Sequence, residues 1–479
     1  MNALSFFVTA TVAVLLSATA GRAQAPFDVY ACTGMNEYRE AHAMVALQPV
    51  NDFDAGWVLA MGGSDGDQAL ASAELGIILP DSYGPDMWEP VAPMTQARQD
   101  FAAVSWGGTL AMALGGYDGS QTLSSTEIFN GESSEWTSGP EMVMPRTNHR
   151  VAWLDAEHIL VTGGFNGVSE TASCEILNVA TGASTEVAPM LTARASHTLT
   201  PLGNGRFLAA GGFNAAAGFQ LAECEVYNAA DDEWTSAAAL PVACDNHAAT
   251  ALPGGGEENE VVLTGGRVYN ADANLFEGLS EGAVFDPASG TWTAFDLTSP
   301  HSYHGMARIG SDPQWFAVGG ADETGAGVDM TYGAAEWGNG GVAYAWDNGP
   351  VGSGQNPGLI SDRFKSAMAP SWAGWVVTGG DAGGIGTCAV VVGPTSSVAE
   401  VSAGRRFDIV PNPAVGRAVI RSAGEAVPTW SILDGSGRQV LAGQSRALDV
   451  TGLPAGGYTL RVAGWGSRRL LVVPGHSPR

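Results

Sequence analysis

A pair of adjacent glycines recurs seven times along this chain, and each pair ends a short run of apolar residues. The seven pairs begin at residues 62, 115, 163, 211, 265, 319 and 379. The intervals between them run from 48 to 60 residues, which indicates a chain built from one repeated unit. A unit of this length must stack on its neighbours to bury its apolar residues, so the repeat strongly constrains the fold.

Each diglycine is followed by the residues of a β-hairpin. Turn residues come first, as in Asp118-Gly119, because Asp-Gly and Asn-Gly accept the positive φ angles of tight turns. A short strand follows, such as EIFN at 127–130. A polar turn then leads to a tryptophan in four of the repeats: Trp88, Trp136, Trp234 and Trp292. This order of strands and turns predicts an all-β protein made of antiparallel hairpins.

A second repeated element, Met-x3-Arg-x2-His, precedes each of the seven apolar runs and weakens toward the C-terminus. Five of the eight histidines occupy its last position: His42, His149, His197, His247 and His304. Equivalent positions on successive units point around an axis, whereas a metal needs ligands that converge on one point. We therefore expect a structural role for these histidines and no bound metal.

The diglycine, the downstream aromatic residue and the closing tryptophan together resemble the kelch family, over residues 26–403. The resemblance implies a seven-bladed kelch-type β-propeller with four antiparallel strands per blade. Its register leaves segment 27–32 without a blade of its own, so we expect this strand to complete the last blade and close the ring. Cys32 would then face Cys388, and the two residues form either a disulfide or a pair of buried thiols.

The charge of the chain excludes some partners. Asp and Glu number 49 against 21 Lys and Arg, which gives a net charge of −28. Nucleic acid and anionic membranes require basic residues that neutralise phosphates, so we expect neither as a partner. From Arg405 onward the chain carries ten arginines against four acids, and this change in charge places a domain boundary near residue 404.

Residues 1–25 have the features of a cleaved signal peptide. The apolar run 6–18 has 13 residues, fewer than the ~20 that a membrane-spanning helix needs. Small-x-small cleavage sites follow at 18–20 and 21–23. No other stretch approaches 18 uninterrupted apolar residues, so we expect an exported protein whose mature form does not span a membrane.

Residues 404–479 alternate short strands with Gly- and Pro-rich turns, which predicts a small immunoglobulin-like β-sandwich. Four segments of this region resemble the C-terminal sorting domain of type IX secretion. Their motif residues are Pro411, Asn412, Pro413, Asp434, Gly437, Gly457 and Tyr458. The resemblance implies the type IX secretion machinery as a partner, and passage through the periplasm to the outer surface of a Gram-negative bacterium. The alternative is an ordinary sandwich that binds other partners.

One face of the implied propeller is the candidate binding face. The loops after the diglycines open on the same side as the turns that carry the repeated arginines, and loops on a rigid scaffold usually hold binding sites. The longest loops, 267–282 and 321–341, follow the fifth and sixth diglycines. The candidate ligand-binding residues are Arg98, Arg146, Arg194, Tyr269, Asp272, Tyr332, Glu336 and Trp337. The alternatives are arginines that bond loop carbonyls between blades, and loops that are flexible decoration.

The sequence contains no recognisable catalytic motif. His-Glu-x-x-His and Gly-x-Ser-x-Gly are both missing, and His476 is the only histidine after His304, which argues against a copper oxidase of the kelch type. We therefore expect no cofactor and no catalytic residue. The leading hypothesis is an exported propeller that binds or adheres to a protein or glycan. The alternatives are a secreted carbohydrate-active enzyme or oxidase, and a purely structural surface protein.

Overall fold

The computed structural model describes residues 28–31, 35–48, 56–78, 85–252, 258–271 and 274–309. Beyond residue 309 it describes residues 314–318, 331–338, 341–347, 367–370, 375–378, 388–392, 407–415, 417–422, 429–433, 439–445, 447–450, 453–454, 456–462 and 466–472. The signal-peptide prediction for residues 1–25 lies outside these ranges.

Five consecutive antiparallel sheets follow one another along residues 43–301 and correspond to the first five predicted blades. Blade 1 contains strands Ala43–Leu47, Gly56–Met61, Ala73–Ile78 and Met87–Val91. Blade 2 contains strands Ala102–Trp106, Leu110–Leu114, Thr126–Asn130 and Glu135–Ser138. Blade 3 contains strands Arg150–Trp153, His158–Thr162, Cys174–Asn178 and Ser184–Val187.

Blades 4 and 5 carry additional elements after their diglycines. Blade 4 contains strands Thr198–Gly203, Arg206–Ala210, Cys224–Asn228 and Glu233–Ala237. Its loop holds the short strands Phe213–Asn214 and Phe219–Gln220 and the 3-10 helix Ala215–Ala217. Blade 5 contains strands Ala248–Leu252, Glu260–Thr264, Leu275–Asp286 and Thr291–His301. Strand Arg267–Asn270 pairs with the beginning of Leu275–Asp286, so this loop is an ordered hairpin.

Two further four-stranded sheets follow. One contains strands Gly305–Ile309, Gln314–Val318, Thr331–Gly338 and Gly341–Asp347. The other contains strands Ala367–Pro370, Trp375–Thr378, Cys388–Val392 and the N-terminal Asp28–Ala31. Asp28–Ala31 lies antiparallel to Cys388–Val392, with Ala31 opposite Ala389. The expected pairing of the N-terminal segment with the last sheet is therefore confirmed.

The second strand of each of the five blades lies in the core. Ala111–Leu114 of blade 2 is fully buried, and Ile159–Thr162 of blade 3 is too. Because the two faces of such a strand pack against the two adjacent blades, its sequence is a continuous apolar run instead of an alternating one. Apolar clusters join one blade to the next, as where Leu59 and Leu75 of blade 1 pack with Phe129 of blade 2.

The diglycines occur where the backbones of two blades meet. Gly163 has a φ of +57° and Gly164 a φ of +95°, angles that glycine adopts without steric cost. A Cβ atom on Gly163 would lie 2.4 Å from the carbonyl oxygen of Arg194, which precedes the next blade. The Gly164 N–H donates a hydrogen bond to that same oxygen over 2.8 Å. The repeated glycines therefore permit the close approach of consecutive blades.

The tryptophans of the fourth strands link each blade to the preceding one. Trp136 Nε1 donates to the carbonyl oxygen of Ala92 over 2.8 Å, and Trp234 Nε1 donates to that of Ala188 over 3.1 Å. The Trp136 ring also packs on Phe129 of its own blade, with 5.2 Å between the ring centroids. The closing tryptophan of the repeat is thus a contact between blades.

The C-terminal region contains seven strands that form one connected sheet: Phe407–Val415, Arg417–Ser422, Thr429–Leu433, Gln439–Gln444, Ala447–Asp449, Gly456–Val462 and Gly466–Val472. Trp430, Ile432, Leu448, Val450 and Leu460 pack together as a buried apolar cluster. Across the described residues, no helix has the length and apolar character to cross a membrane.

Candidate functional site

The repeated arginines are buried at the junctions between blades. Arg98, Arg146 and Arg194 are each at most 1% exposed. The Arg146 Nη1 group donates to the carbonyl oxygens of Gly163 and Ser173, over 2.7 and 2.9 Å, both in the blade that follows this turn. The backbone oxygen of Arg146 accepts from Gly116 of the preceding blade over 2.8 Å. Each arginine therefore fastens two blades together.

A buried glutamate completes each of these junctions. Glu127 pairs with Arg98, Glu175 with Arg146 and Glu225 with Arg194, over 2.6 to 2.9 Å. These carboxylates also accept backbone N–H groups, as Glu127 does from Thr95 and Gln96. Because their guanidinium groups are occupied and enclosed, we revise the ligand-binding role of Arg98, Arg146 and Arg194 to a structural one. This is the alternative in which they bond loop carbonyls between blades.

The repeated histidines also bridge neighbouring blades. His197 Nε2 lies 2.9 Å from Thr162 Oγ1 of blade 3, and His247 Nε2 lies 3.0 Å from Thr198 Oγ1 of blade 4. Burial lowers the pKa of His149 and His247 to about 3, so both imidazoles are neutral at pH 7. Among the described residues, no three His, Cys, Asp or Glu side chains cluster closely enough to hold a metal ion.

Residues with positive φ follow one another along the junctions of the five blades. One residue at each blade junction, the second one after the arginine position, has a φ between +50° and +57°: Ala41, Asp100, Asn148, Ser196, Asn246 and Tyr303. We call these six residues the central ring. Each N–H from Asp100 onward donates to the carbonyl oxygen of the preceding ring residue, over 2.9 to 3.2 Å. These hydrogen bonds hold a conformation that is strained for most side chains, and such strain often marks functional positions.

Five of the six central-ring residues, all except Ser196, line an open cavity of about 200 Å³, which we call the central pocket. Its polar lining includes Asp100, Asn148, Asn246 and Tyr303 of the ring and Arg150 of blade 3. Arg150 is half-buried, and its Nη1 group donates to the carbonyl oxygen of His149 over 3.0 Å. Burial lowers the pKa of Arg150, and the Asp100 carboxylate opposes this effect. The pocket thus combines one cation, one carboxylate and two amides.

A strip of aromatic rings lies on the loops of blades 4 and 5. Phe219 packs between Phe213 and Tyr269, with centroid distances of 5.9 and 5.0 Å, and Tyr269 packs on Phe276 at 5.3 Å. We call these four residues the aromatic strip. Phe219 is 40% exposed and Phe276 is 39% exposed. Phe219 also has a φ of +93°, which costs a non-glycine residue conformational energy.

Arg267 connects the aromatic strip to the central pocket. Its guanidinium carbon lies 4.1 Å from the centroid of Phe276 and 5.0 Å from that of Tyr303, within the range of cation–π attraction. Its Nε group is 2.9 Å from an oxygen of Asp245, so the cation is also paired with a carboxylate. The strip and the pocket therefore form one continuous face.

The structure brings only one of the loop candidates into this face. Tyr269 belongs to the aromatic strip, whereas Asp272 lies outside the described residues. Tyr332, Glu336 and Trp337, expected on a loop, belong to strand Thr331–Gly338. In its register, Trp337 pairs with Val342, next to the pair of Gly338 and Gly341. A ligand-binding role for Tyr332, Glu336 and Trp337 stays a prediction.

The predictions for the cysteines and the C-terminal motif are only partly covered by the described residues. Cys388 begins a strand, but Cys32 lies outside the described ranges. Pro411, Asn412 and Pro413 lie in strand Phe407–Val415, and Gly457 lies in strand Gly456–Val462. Tyr458 is buried, and its hydroxyl donates to the carbonyl oxygen of Pro454 over 2.9 Å. Asp434 and Gly437 lie outside the described residues.

Sequence reasoning missed Asp100, Asn148, Arg150 and Asn246. The sequence signal for these residues was variation within the repeat. The residue type at the central-ring position changes from copy to copy, whereas the repeated residues on either side of it recur. Arg150 also stood out, because the equivalent position at the start of the other first strands carries Ala, Thr or Gly. Phe213 and Phe219 gave a weaker signal, since they lie outside the two longest loops that the sequence contains.

Comparison with known proteins supports the propeller arrangement. Residues 97–143 match the family description "Kelch motif". A solved structure, described as "Structure of YjhT", covers 66% of this chain with 99% of its own, at a TM-score of 0.51 and 12% identity. At this identity the likeness shows the fold alone. No curated protein matches the sequence. The chain therefore contains a kelch motif and a β-propeller of at least the five described blades.

Proposed function

We propose that this protein is an exported binding module that holds a glycan on the aromatic strip of blades 4 and 5. The observation that carries the proposal is Phe219, a large aromatic residue that is exposed and held at a φ of +93°. A glycine would fit this backbone without strain, so the ring has a role that offsets its conformational cost. Ligand contact is the role that its exposure favours.

The chemistry of the strip suits a sugar. A pyranose ring presents a face of C–H groups that packs against aromatic rings, and its hydroxyl groups need polar partners nearby. Tyr269 offers an aromatic face and a hydroxyl group, which lies 2.6 Å from Asn274 Oδ1. Asn270 Nδ2 donates to Glu277 Oε1 over 2.8 Å on the same hairpin. Aromatic rings bordered by amide and carboxylate groups favour a glycan over a purely apolar protein surface.

The proposal extends to the architecture and destination of the chain. We propose that the two sheets after blade 5 complete a seven-bladed ring, which the pairing of Asp28–Ala31 with Cys388–Val392 supports. Residues 1–25 direct export, and the C-terminal region, as an immunoglobulin-like sandwich, directs type IX secretion to the cell surface. The protein acts there by adhesion and without catalysis, metal or cofactor.

A glycan array with the full chain tests the ligand class. Wild-type protein should bind a subset of glycans, and F219G and Y269A should weaken this binding about tenfold, as expected when one aromatic contact is lost. V168A is the matched control, because Val168 is 88% exposed on the equivalent loop of blade 3. Its binding should equal that of the wild type.

One outcome would contradict the proposed site, a second the ligand class and a third the secretion route. Glycan binding that F219G and Y269A leave unchanged would place the ligand elsewhere. A blank array, together with a surface protein that the wild type captures and Y269A does not, would make the ligand a protein. Recovery of an uncleaved chain from the periplasm, tested by peptide mapping of both termini, would overturn the secretion route.

A further inference from the structure

We propose that the central pocket is a second binding site, separate from the aromatic strip, which takes a small monovalent carboxylate on the guanidinium group of Arg150. The site is formed by Arg150, Asp100, Asn148 and Asn246, all of which line the pocket. At about 200 Å³ the cavity is smaller than the ~300–1,000 Å³ of sites for drug-sized ligands, so its ligand is small.

Arg150 breaks the pattern of the repeat. It begins the first strand of blade 3, four residues after the repeated Arg146. The corresponding first residues of the other four blades are small: Ala43, Ala102, Thr198 and Ala248. The fold therefore does not require a long or charged side chain at this position. A single arginine among small residues gives the pocket its positive charge on one side.

Arg150 also differs from the other arginines in its partners. Seven arginines between residues 35 and 306 have described side chains, and six of them pair with a carboxylate: Arg39, Arg98, Arg146, Arg194, Arg206 and Arg267. Arg150 forms no ion pair with any described residue, and one hydrogen bond uses only one of its five N–H groups. Its remaining donors suit a carboxylate, which guanidinium binds with two parallel hydrogen bonds.

The neighbouring histidines add no positive charge. His42 and His247 line the same pocket, and burial keeps their imidazoles neutral at pH 7. Arg150 is therefore the only cation among the described residues that line the pocket. In a half-enclosed site its attraction for an anion is screened less than on an open surface.

Asp100 selects the charge of the ligand. Its carboxylate lines the pocket with Arg150 and repels any anion, and it repels a dianion such as a phosphate monoester about twice as strongly as a monovalent carboxylate. The single guanidinium neutralises the one charge of a carboxylate, whereas a dianion keeps an uncompensated negative charge beside Asp100. Asn148 and Asn246 add amide groups that suit a hydroxyl on the same ligand. The site thus favours a hydroxycarboxylate over a phosphate ester.

Three probes that share a hexose ring and differ in charge test this site in the full chain. Calorimetric titration at low salt should detect binding of glucuronate, weaker binding of glucose 6-phosphate and no binding of glucose. R150Q should weaken the affinity for glucuronate about tenfold or more, and R150K should have an intermediate effect because it keeps the charge and loses the paired hydrogen bonds. R206Q is the matched control, since Arg206 pairs with Glu258 outside the pocket. It should bind as the wild type does.

Variants of the two sites separate this inference from the proposed function. F219G should weaken glycan binding and leave glucuronate binding intact, whereas R150Q should do the reverse. D100N should increase the affinity for glucose 6-phosphate relative to glucuronate, because the repulsive charge is removed. The inference is wrong if glucose binds as well as glucuronate, if glucuronate does not bind, or if folded R150Q and R150K retain wild-type affinity.

Discussion

Arg146 and Glu175 form a buried ion pair beside the diglycine of blade 3, with Nε of the arginine 2.9 Å from Oε1 of the glutamate. Both side chains are at most 1% exposed. Removing either partner would leave an uncompensated charge in the interior, which is more costly than replacing both by apolar residues. Blade 5 contains such a double replacement, since the equivalent positions hold Cys244 and Ala283. Across the five described blades, the repeat therefore keeps this pair or replaces both members.

The ion pair predicts a strongly non-additive response to mutation. R146M and E175A should each lower the free energy of unfolding by about 3–5 kcal/mol, because each leaves one buried charge without its partner. The double variant R146C/E175A, which reproduces the residue types of blade 5, should be less destabilised than the sum of the R146C and E175A effects. Urea unfolding of all variants measures the coupling. Additive effects would show that the two side chains stabilise the blade independently.

The strained backbone of Phe219 predicts that its replacement by glycine stabilises the fold and weakens ligand binding. F219G should raise the midpoint of thermal unfolding, because glycine adopts a φ of +93° without the strain that a phenylalanine bears. The gain should exceed the glycine's larger loss of chain entropy on folding. Calorimetry compares F219G with F219A, which keeps the strain and should not be stabilised. A lower midpoint for F219G than for F219A would show that the strain is negligible.

The repeated residues made most of the fold predictable. Regular spacing of the diglycines located the blades, because only glycine tolerates both the positive φ and the close approach of Arg194 to Gly163. The closing tryptophans were visible for the same reason, whereas the repeated arginines were predicted as ligand-binding residues and only the alternative placed them between blades. Each of these residues has the same structural role in every copy of the repeat, so its spacing along the chain can be recognised without a structure.

The candidate site was less predictable because it depends on residues that differ between copies. Asp100 and Asn246 occupy the same ring position but share no side-chain type with Ala41 or Tyr303. Their proximity arises only when the blades close around an axis. Trp337 shows the opposite error, in which an aromatic residue near a glycine-rich stretch was assigned to a loop. Its strand pairing is a tertiary feature that local turn residues do not reveal.

The histidines predict that the propeller is destabilised by mild acid. Burial lowers the pKa of His42, His149 and His247 to about 3 in the folded state, against about 6.5 when unfolded. The unfolded chain therefore binds more protons, so this stability is fully present above pH 6.5 and is lost as the pH falls from 6.5 toward 3. Each histidine contributes a slope of up to about 1.4 kcal/mol per pH unit.

Urea unfolding at pH 7.5, 6.5 and 5.5 measures this slope in a range where most carboxylates stay ionised. H197N removes one buried imidazole whose pKa burial holds well below its ordinary value, so its slope should be smaller than that of the wild type. The comparison uses the change in the free energy of unfolding between two pH values. A loss of stability in H197N that is equal at every pH therefore does not affect it. A slope that is unchanged in H197N would assign the acid sensitivity to other groups.

The burial of three cysteines predicts how many of the thiols react with an alkylating reagent. Cys174, Cys224 and Cys244 are buried and free, and burial raises the pKa of all three thiols, to about 11 for Cys174 and Cys224. Iodoacetamide should therefore not modify these three in the folded chain. The last described pair of the closing register, Ala31 with Ala389, stands one residue short of both Cys32 and Cys388. The disulfide between Cys32 and Cys388 stays a prediction, and two buried thiols are the alternative.

Mass spectrometry after denaturation distinguishes the two states of the closing pair. If Cys32 and Cys388 form a disulfide, denatured protein should take up three alkyl groups without reductant and five with it, since the chain has five cysteines. C388S should take up four groups in both conditions. It should also lower the thermal midpoint, because the bond restrains a very long loop in the unfolded chain. Five groups taken up without reductant would show two thiols, leaving the closure of the ring to strand pairing alone.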